Sequence, residues 1–156
     1  MVRKIKTSNV EQTEQCGANL AVEVINSVAM PRFVALYGDL GVGKTAFVRG
    51  FASVIAPNAY VRSPTFALVN EYRAKPLSLF HFDMYRIEDE DDLISIGFDD
   101  YLLRQGICLV EWSEKIPYAI PDNFIKVTIQ KDRLDCPEQR IITIEIISNG
   151  KDSHSI

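Results

Sequence analysis

A chain of 156 residues with 47% hydrophobic and 24% charged residues has the balance of one globular core, far from the charge-rich, apolar-poor composition of disordered chains. Seventeen Lys plus Arg against twenty-one Asp plus Glu leave a net charge of −4, so any nucleic-acid contact must be local or supplied by a partner. Three cysteines without Cys-x-x-Cys spacing (Cys16, Cys108, Cys136) disfavour a disulfide framework or a zinc site and point to a reducing cytoplasm, while the absence of a signal-type start or an apolar run near ~20 residues disfavours secretion and membrane insertion.

In chain order, Ser8 followed by Glu11 fits a capping box, and Val10, Leu20, Ala21, Val24, Ile25 and Val28 recur at helical spacing, which predicts a helix over about residues 9 to 27. Pro31 closes it. Phe33 to Tyr37 is a short apolar, partly β-branched run, as in a buried strand. A glycine-rich segment follows directly, and then Phe47, Val48, Phe51 and Ile55 form one face of a second helix. Residues 66–73 and 77–83 read as two strands around a short stretch containing Pro76, which predicts an antiparallel pair. Residues 87–106 predict two short helices broken near Gly97, and residues 107–112 another buried strand. Phe124 to Gln130 and Arg140 to Ile147 alternate as strands around the polar residues 131–139, expected to be a loop. The sum is an α/β domain, one unit over residues 1–156, with a mixed parallel and antiparallel sheet.

Gly38, Gly43, Lys44 and Thr45 satisfy G-x-x-x-x-G-K-S/T between a strand and a helix, the context this phosphate-binding motif requires. Glycines let successive backbone N–H groups point into the loop, and the helix start adds its positive dipole end, so a polyphosphate can be held largely by backbone. Gly38, Asp39, Leu40, Gly41, Val42, Gly43, Lys44, Thr45 and Ala46 are thus the candidate ATP-binding segment, with Lys44 reaching the β- and γ-phosphates and the Thr45 hydroxyl on Mg²⁺. Such a loop needs acids to orient the metal and place an attacking water. Glu111, ending residues 107–111, is the better metal-side candidate; Asp83, ending residues 77–83, is a candidate to position water or to support the metal, or simply a partner for Arg86. Lys44, Asp83 and Glu111 are the candidate catalytic residues, and Thr45 and Glu111 the candidate metal ligands. Which of the two acids positions the water stays open. His81, between Phe80 and Phe82, reads as a hydrogen-bonded structural histidine, and the acidic run 88–92 as a solvated helix start.

The loop Gly38 to Thr45, with Phe-x-Arg-Gly-Phe after it, Ser-Pro-Thr-Phe at 63–66, His-Phe-Asp-x-Tyr-Arg at 81–86 and Leu-Val-Glu-Trp at 109–112, resembles the TsaE family. The resemblance covers about residues 8 to 133 and is specific because separated motifs occur in the family's order. It implies a P-loop NTPase-like three-layer fold and a small ATPase that joins the TsaB and TsaD proteins in making threonylcarbamoyladenosine in tRNA, touching tRNA only through that complex. It also implies a functional position at Trp112, a switch-like segment at Ser63 to Phe66, and a contact to the base at Thr13, with Lys131 or Arg133 as further contacts. One departure is Ala46, where many relatives carry a second threonine.

Two other classes share a glycine loop. A small-molecule or nucleotide kinase usually carries an arginine-rich lid, and no such segment is seen; a GTP-gated switch normally needs Asn-Lys-x-Asp, which is absent.

Overall fold

The computed structural model describes residues 2–39, 41–64 and 68–148. Among them β1 (Val2–Thr7), α1 (Val10–Asn26), β2 (Phe33–Tyr37), α2 (Lys44–Ile55), β3 (Val69–Tyr72), β4 (Ser78–Asp83), α3 (Glu90–Ser95), α4 (Phe98–Leu102), β5 (Gly106–Glu111), β6 (Asn123–Arg133) and β7 (Cys136–Ser148) follow in order, with two 3₁₀ turns after β5. The strands form one seven-stranded sheet in the order β1-β7-β6-β2-β5-β4-β3. Both neighbours of β2, β5 and β6, run parallel to it, and β4 runs parallel to β5. β3 and the β6–β7–β1 side are joined antiparallel. This is the expected mixed α/β sheet.

The central strands are apolar on both sides, and the two-residue period sorts them between two cores. Val34, Leu36, Leu79, Ile107, Leu109, Ile125, Val127 and Ile142 meet α1 and α2. Phe33, Ala35, Phe80, Phe82, Cys108 and Val110 face the other way, onto Phe98 of α4 and Leu93 of α3. Helices of six and five residues are too short to persist alone. Edge-to-face contacts hold α4 in place, Phe98 to Phe82 at 5.3 Å and Tyr101 to Phe80 at 5.1 Å between ring centroids. Gly97, in the left-handed conformation at φ 71, breaks the two helices where expected.

Three boundaries differ from the sequence reading. The cap of α1 is Asn9 rather than Ser8: extended at φ −157, it accepts from Gln12 N–H at 2.8 Å, and Gln12 Oε1 accepts from Ser8 N–H at 2.7 Å. Asparagine caps as well as serine does, so the pattern alone allows either register. β1 was not foreseen, because Val-Arg-Lys-Ile-Lys-Thr carries charges along an edge strand; its backbone pairs with β7 from Val2 opposite Glu145 to Thr7 opposite Arg140. Most of the loop expected at 131–139 is strand. β6 runs on to Arg133, β7 starts at Cys136 opposite it, and Leu134 and Asp135 alone turn the hairpin. Ladder hydrogen bonds extend a hairpin past the core without apolar residues, so polarity misreads it.

α1 and α2 cross in close contact. A Cβ on Gly50 would lie 1.8 Å from the carbonyl oxygen of Glu14, and one on Gly17 would lie 2.1 Å from that of Phe47. Backbone meets backbone there, and no side chain can turn aside. Gly50→Ala is expected to destabilise the chain by about 1–3 kcal/mol or more, whereas Val22→Ala, on the exposed side of α1, should stay within about 0.5 kcal/mol. Urea unfolding of both variants checks this, and equal midpoints would remove the close-approach argument.

Candidate functional site

The carboxyl ends of β2, β5 and β4 share one edge of the sheet because the three strands are parallel. In open α/β sheets, ligands bind beyond that edge. The chain leaves β2 there and enters α2 through the glycine loop. Gly43, the residue before α2, sits at φ 102, a conformation that glycine adopts freely. Among the described residues no side chain caps the start of α2 and no acid lies in its first turn, so no side chain there satisfies its leading N–H groups.

Asp83 and Glu111 are directly opposite in the β4–β5 ladder, side by side at the same edge. Both are buried. Together with Gly41, Gly43, Lys44, Thr45, Ser63, Tyr85 and Trp112 they line a cavity of about 490 Å³. A second cavity, about 530 Å³ between β1 and α1, has neither a glycine loop nor a pair of acids, and its Arg3 is already bonded to Glu23 at 2.8 Å.

Lys44 is 6% exposed. Its Nζ donates to Gly38 O at 2.6 Å and lies 3.8 Å from the centroid of the Trp112 ring. Burial pulls the ammonium below its ordinary pKa, against the opposing pull of Glu111, Glu114, Asp83 and Asp39. The indole reaches it because Trp112 leaves β5 in the left-handed conformation, φ 59, rare for a bulky residue and typical of functional sites. Tyr85 packs beside it at 5.0 Å. Trp112 therefore touches the lysine.

His81 donates from Nε2 to Glu111 Oε2 at 2.5 Å, both side chains buried, and so fixes which way the carboxylate turns. Its Nδ1 is buried without a partner among the described residues. The hydrogen-bonded structural reading of His81 fits, with a site carboxylate as the partner. Asp83 Oδ1 accepts from Tyr85 N–H at 3.0 Å. Burial pushes the Asp83 carboxyl above the usual carboxylate range; the Tyr85 bond opposes this, Glu111 adds to it, and His81 and Lys44 oppose it.

Of the other candidates, Thr13 is buried beside the loop, its methyl 3.9 Å from where a Cβ on Gly43 would sit, and its hydroxyl is shared with Thr7 at 2.9 Å. Gly38, Asp39, Val42 and Ala46 lie on the loop and the first turn of α2, whereas Leu40, Thr65 and Phe66 lie outside the described residues. Arg133 is bonded to Asp135 at 3.0 Å, and Lys131 faces Arg140 across the β6–β7 ladder. Sequence reasoning missed Arg140, whose Nε donates to Val42 O at 2.7 Å across 98 positions, and Tyr85. Only Tyr85 carried a signal, its place two residues after Asp83.

Residues 7–142 match the family described as Threonylcarbamoyl adenosine biosynthesis protein TsaE. The chain belongs to the TsaE family. A TsaE protein of Bacillus subtilis, tRNA threonylcarbamoyladenosine biosynthesis protein TsaE, is 37% identical over 94% of this chain and 87% of its own length. One from Haemophilus influenzae, of the same description, is 44% identical over 62% of this chain and 61% of its own length. The crystal structure of Bacillus subtilis YdiB superposes with a TM-score of 0.75 at 31% identity, covering 96% of this chain and 88% of that one. This TsaE chain has no helix, among the described residues, long and apolar enough to cross a membrane.

A carboxyl whose pKa is raised by the fold binds its proton more tightly folded than unfolded, so stability rises as pH falls through the folded value and the ionised form is penalised at neutral pH. Asp83→Asn keeps an acceptor for Tyr85 N–H and removes that penalty. It should raise the thermal midpoint more near neutral pH than in acid, each 1 kcal/mol relieved appearing as about 2–4 °C. Identical pH profiles for the two chains would overturn the assignment.

Proposed function

We propose that this chain is a Mg²⁺-dependent ATP hydrolase that acts with TsaB and TsaD in the threonylcarbamoyladenosine modification of tRNA, in the cytoplasm. Membership of the TsaE family and the printed descriptions of its relatives support the pathway. One observation carries the chemistry: a glycine loop opens into a helix start without a side-chain cap among the described residues, with Lys44 in a cavity that a pair of carboxylates also lines. A phosphate chain fits the first half and a hydrated divalent cation the second.

The Thr45 hydroxyl and the Glu111 carboxylate are hard oxygen donors lining the same cavity, the set that suits Mg²⁺, and they are the residues that would hold it. Held there, the cation would supply positive charge to offset the negative charge that develops on the transferring phosphoryl group. The backbone N–H groups of the loop and of the first turn of α2 bind the phosphate oxygens. Lys44 exchanges Gly38 O and the Trp112 ring for β- and γ-phosphate oxygens. His81 holds Glu111 turned to the metal side. Asp83, its carboxyl raised by burial, is the acceptor that orients the attacking water. As the water oxygen bonds the γ-phosphorus, the bond to the β–γ bridging oxygen breaks, ADP leaves and the water proton passes to Asp83. With a net charge of −4 the chain has no overall attraction for tRNA, which supports contact with tRNA only through the two partner proteins.

Lys44→Ala should weaken ATP binding by about ten- to a hundredfold, as expected for the loss of one charged contact of about 1.5–3 kcal/mol. Isothermal titration with equal affinities would sink the nucleotide reading. Phosphate release that requires no acceptor separates hydrolysis from a kinase reaction.

The two acids should separate in a Mg²⁺ titration. Glu111→Ala is expected to blunt the effect of Mg²⁺ on ATP affinity as well as hydrolysis, whereas Asp83→Ala should keep binding and lose single-turnover hydrolysis. Unimpaired turnover in both variants removes both roles. Size-exclusion chromatography with TsaB and TsaD should show an ATP-dependent complex, and tight binding of bare tRNA without them would rule out the coupled reading.

A further inference from the structure

Among the described residues, Arg140, on β7, donates to four main-chain carbonyl oxygens and to no side chain. Nη1 donates to Pro137 O at 2.5 Å and to Gln139 O at 2.9 Å, both on its own strand. Nε donates to Val42 O at 2.7 Å and Nη2 to Gly41 O at 3.4 Å, both on the glycine loop. The first pair anchors the guanidinium, and the second reaches two successive peptides of the loop. In a planar trans peptide the N–H points opposite to the C=O. With the carbonyls of Gly41 and Val42 drawn to Arg140, the N–H groups of Val42 and Gly43, which belong to those same two peptides, are turned away from it.

The loop needs such a hold. Gly41 sits at φ +77 with nothing within 4 Å of an added Cβ, and Gly43 sits at φ +102. The freedom that lets these glycines form an anion-binding concavity also lets their peptides rotate, and a rotated peptide presents a carbonyl lone pair to the anion in place of a donor. Arginine suits the task because its rigid planar fork spans two acceptors, whereas a lysine ammonium is a compact point charge whose three donors hold no fixed fork.

We propose that Arg140 is a positioning residue for phosphate binding: its fork holds the Gly41–Val42 and Val42–Gly43 peptides with their N–H groups presented to the phosphate chain. The inference rests on the nucleotide reading of the site and assigns Arg140 no contact with the nucleotide. The hold comes from the far end of the chain, through the strand whose ladder runs from β1 to β6.

The test uses the full chain, its Arg140→Met and Arg140→Lys variants, and two probes, Mg·ATP and inorganic tripolyphosphate. Titration calorimetry should show at least a tenfold loss for both probes in Arg140→Met. Arg140→Lys, which keeps the charge and loses the fork, should recover only part of it. In amide NMR spectra, saturating either probe should shift the Val42 and Gly43 N–H signals downfield in the unmodified chain and much less in Arg140→Met, while core amides and the urea midpoint stay unchanged. Because Arg140→Met can unfold, the Arg140 Nε–H signal of the unmodified chain is followed as well; it should persist and exchange slowly when ATP is bound. Full recovery by lysine, unmodified Val42 and Gly43 shifts in Arg140→Met, or loss of the Nε–H signal on ATP binding would each overturn the proposal. If the unmodified chain binds neither probe, the nucleotide reading itself falls.

Discussion

Parallel pairing of β4 with β5 sets Asp83 opposite Glu111, and parallel pairing of β5 with β2 brings the glycine loop to the same edge of the sheet. An antiparallel arrangement at either junction would send one of these groups to the opposite end. Two apolar clusters keep the three strands buried on both faces, so a one-residue slip would send every side chain into the opposite cluster, where it would not fit the packing. The position of the acids relative to Lys44 is therefore a consequence of core packing.

That packing buries charge. Lys44, Asp83, Glu111 and His81 are all buried at one end of the sheet, where desolvation lowers the pKa of the lysine and raises that of Asp83. The groups offset part of this cost among themselves. Lys44 rests between a carbonyl and an indole face, Glu111 accepts from His81, and Asp83 accepts from a backbone N–H. On the proposed reading, a polyphosphate with its cation would complement this set of buried donors and acceptors.

Support reaches the loop from several directions. α1 is pressed against α2 through Gly17 and Gly50, placing the Thr13 methyl near Gly43. From the antiparallel side of the sheet, β7 brings Arg140 to the outward carbonyls of the loop. The β6–β7 hairpin, with β1 paired to its edge, thus forms the platform from which the loop is held.

What the sequence determined by itself was local. The Gly-x-x-x-x-Gly-Lys-Thr spacing, the apolar runs that end in Asp83 and Glu111, the break at Gly97 and the helical face of Phe47, Val48, Phe51 and Ile55 were all legible, because backbone geometry ties each to neighbours a few positions away. The chemistry of the candidate site and the α/β class follow from these. What only the tertiary structure decided was non-local: His81 meets Glu111 across 30 positions and Arg140 meets Val42 across 98, and no pattern in the intervening residues records either pairing. The edge strand β1 and the polar continuation of β6 and β7 were hidden for a related reason. Hydropathy reports burial, whereas those segments are held by ladder hydrogen bonds, which any backbone can make once a neighbouring strand is in place.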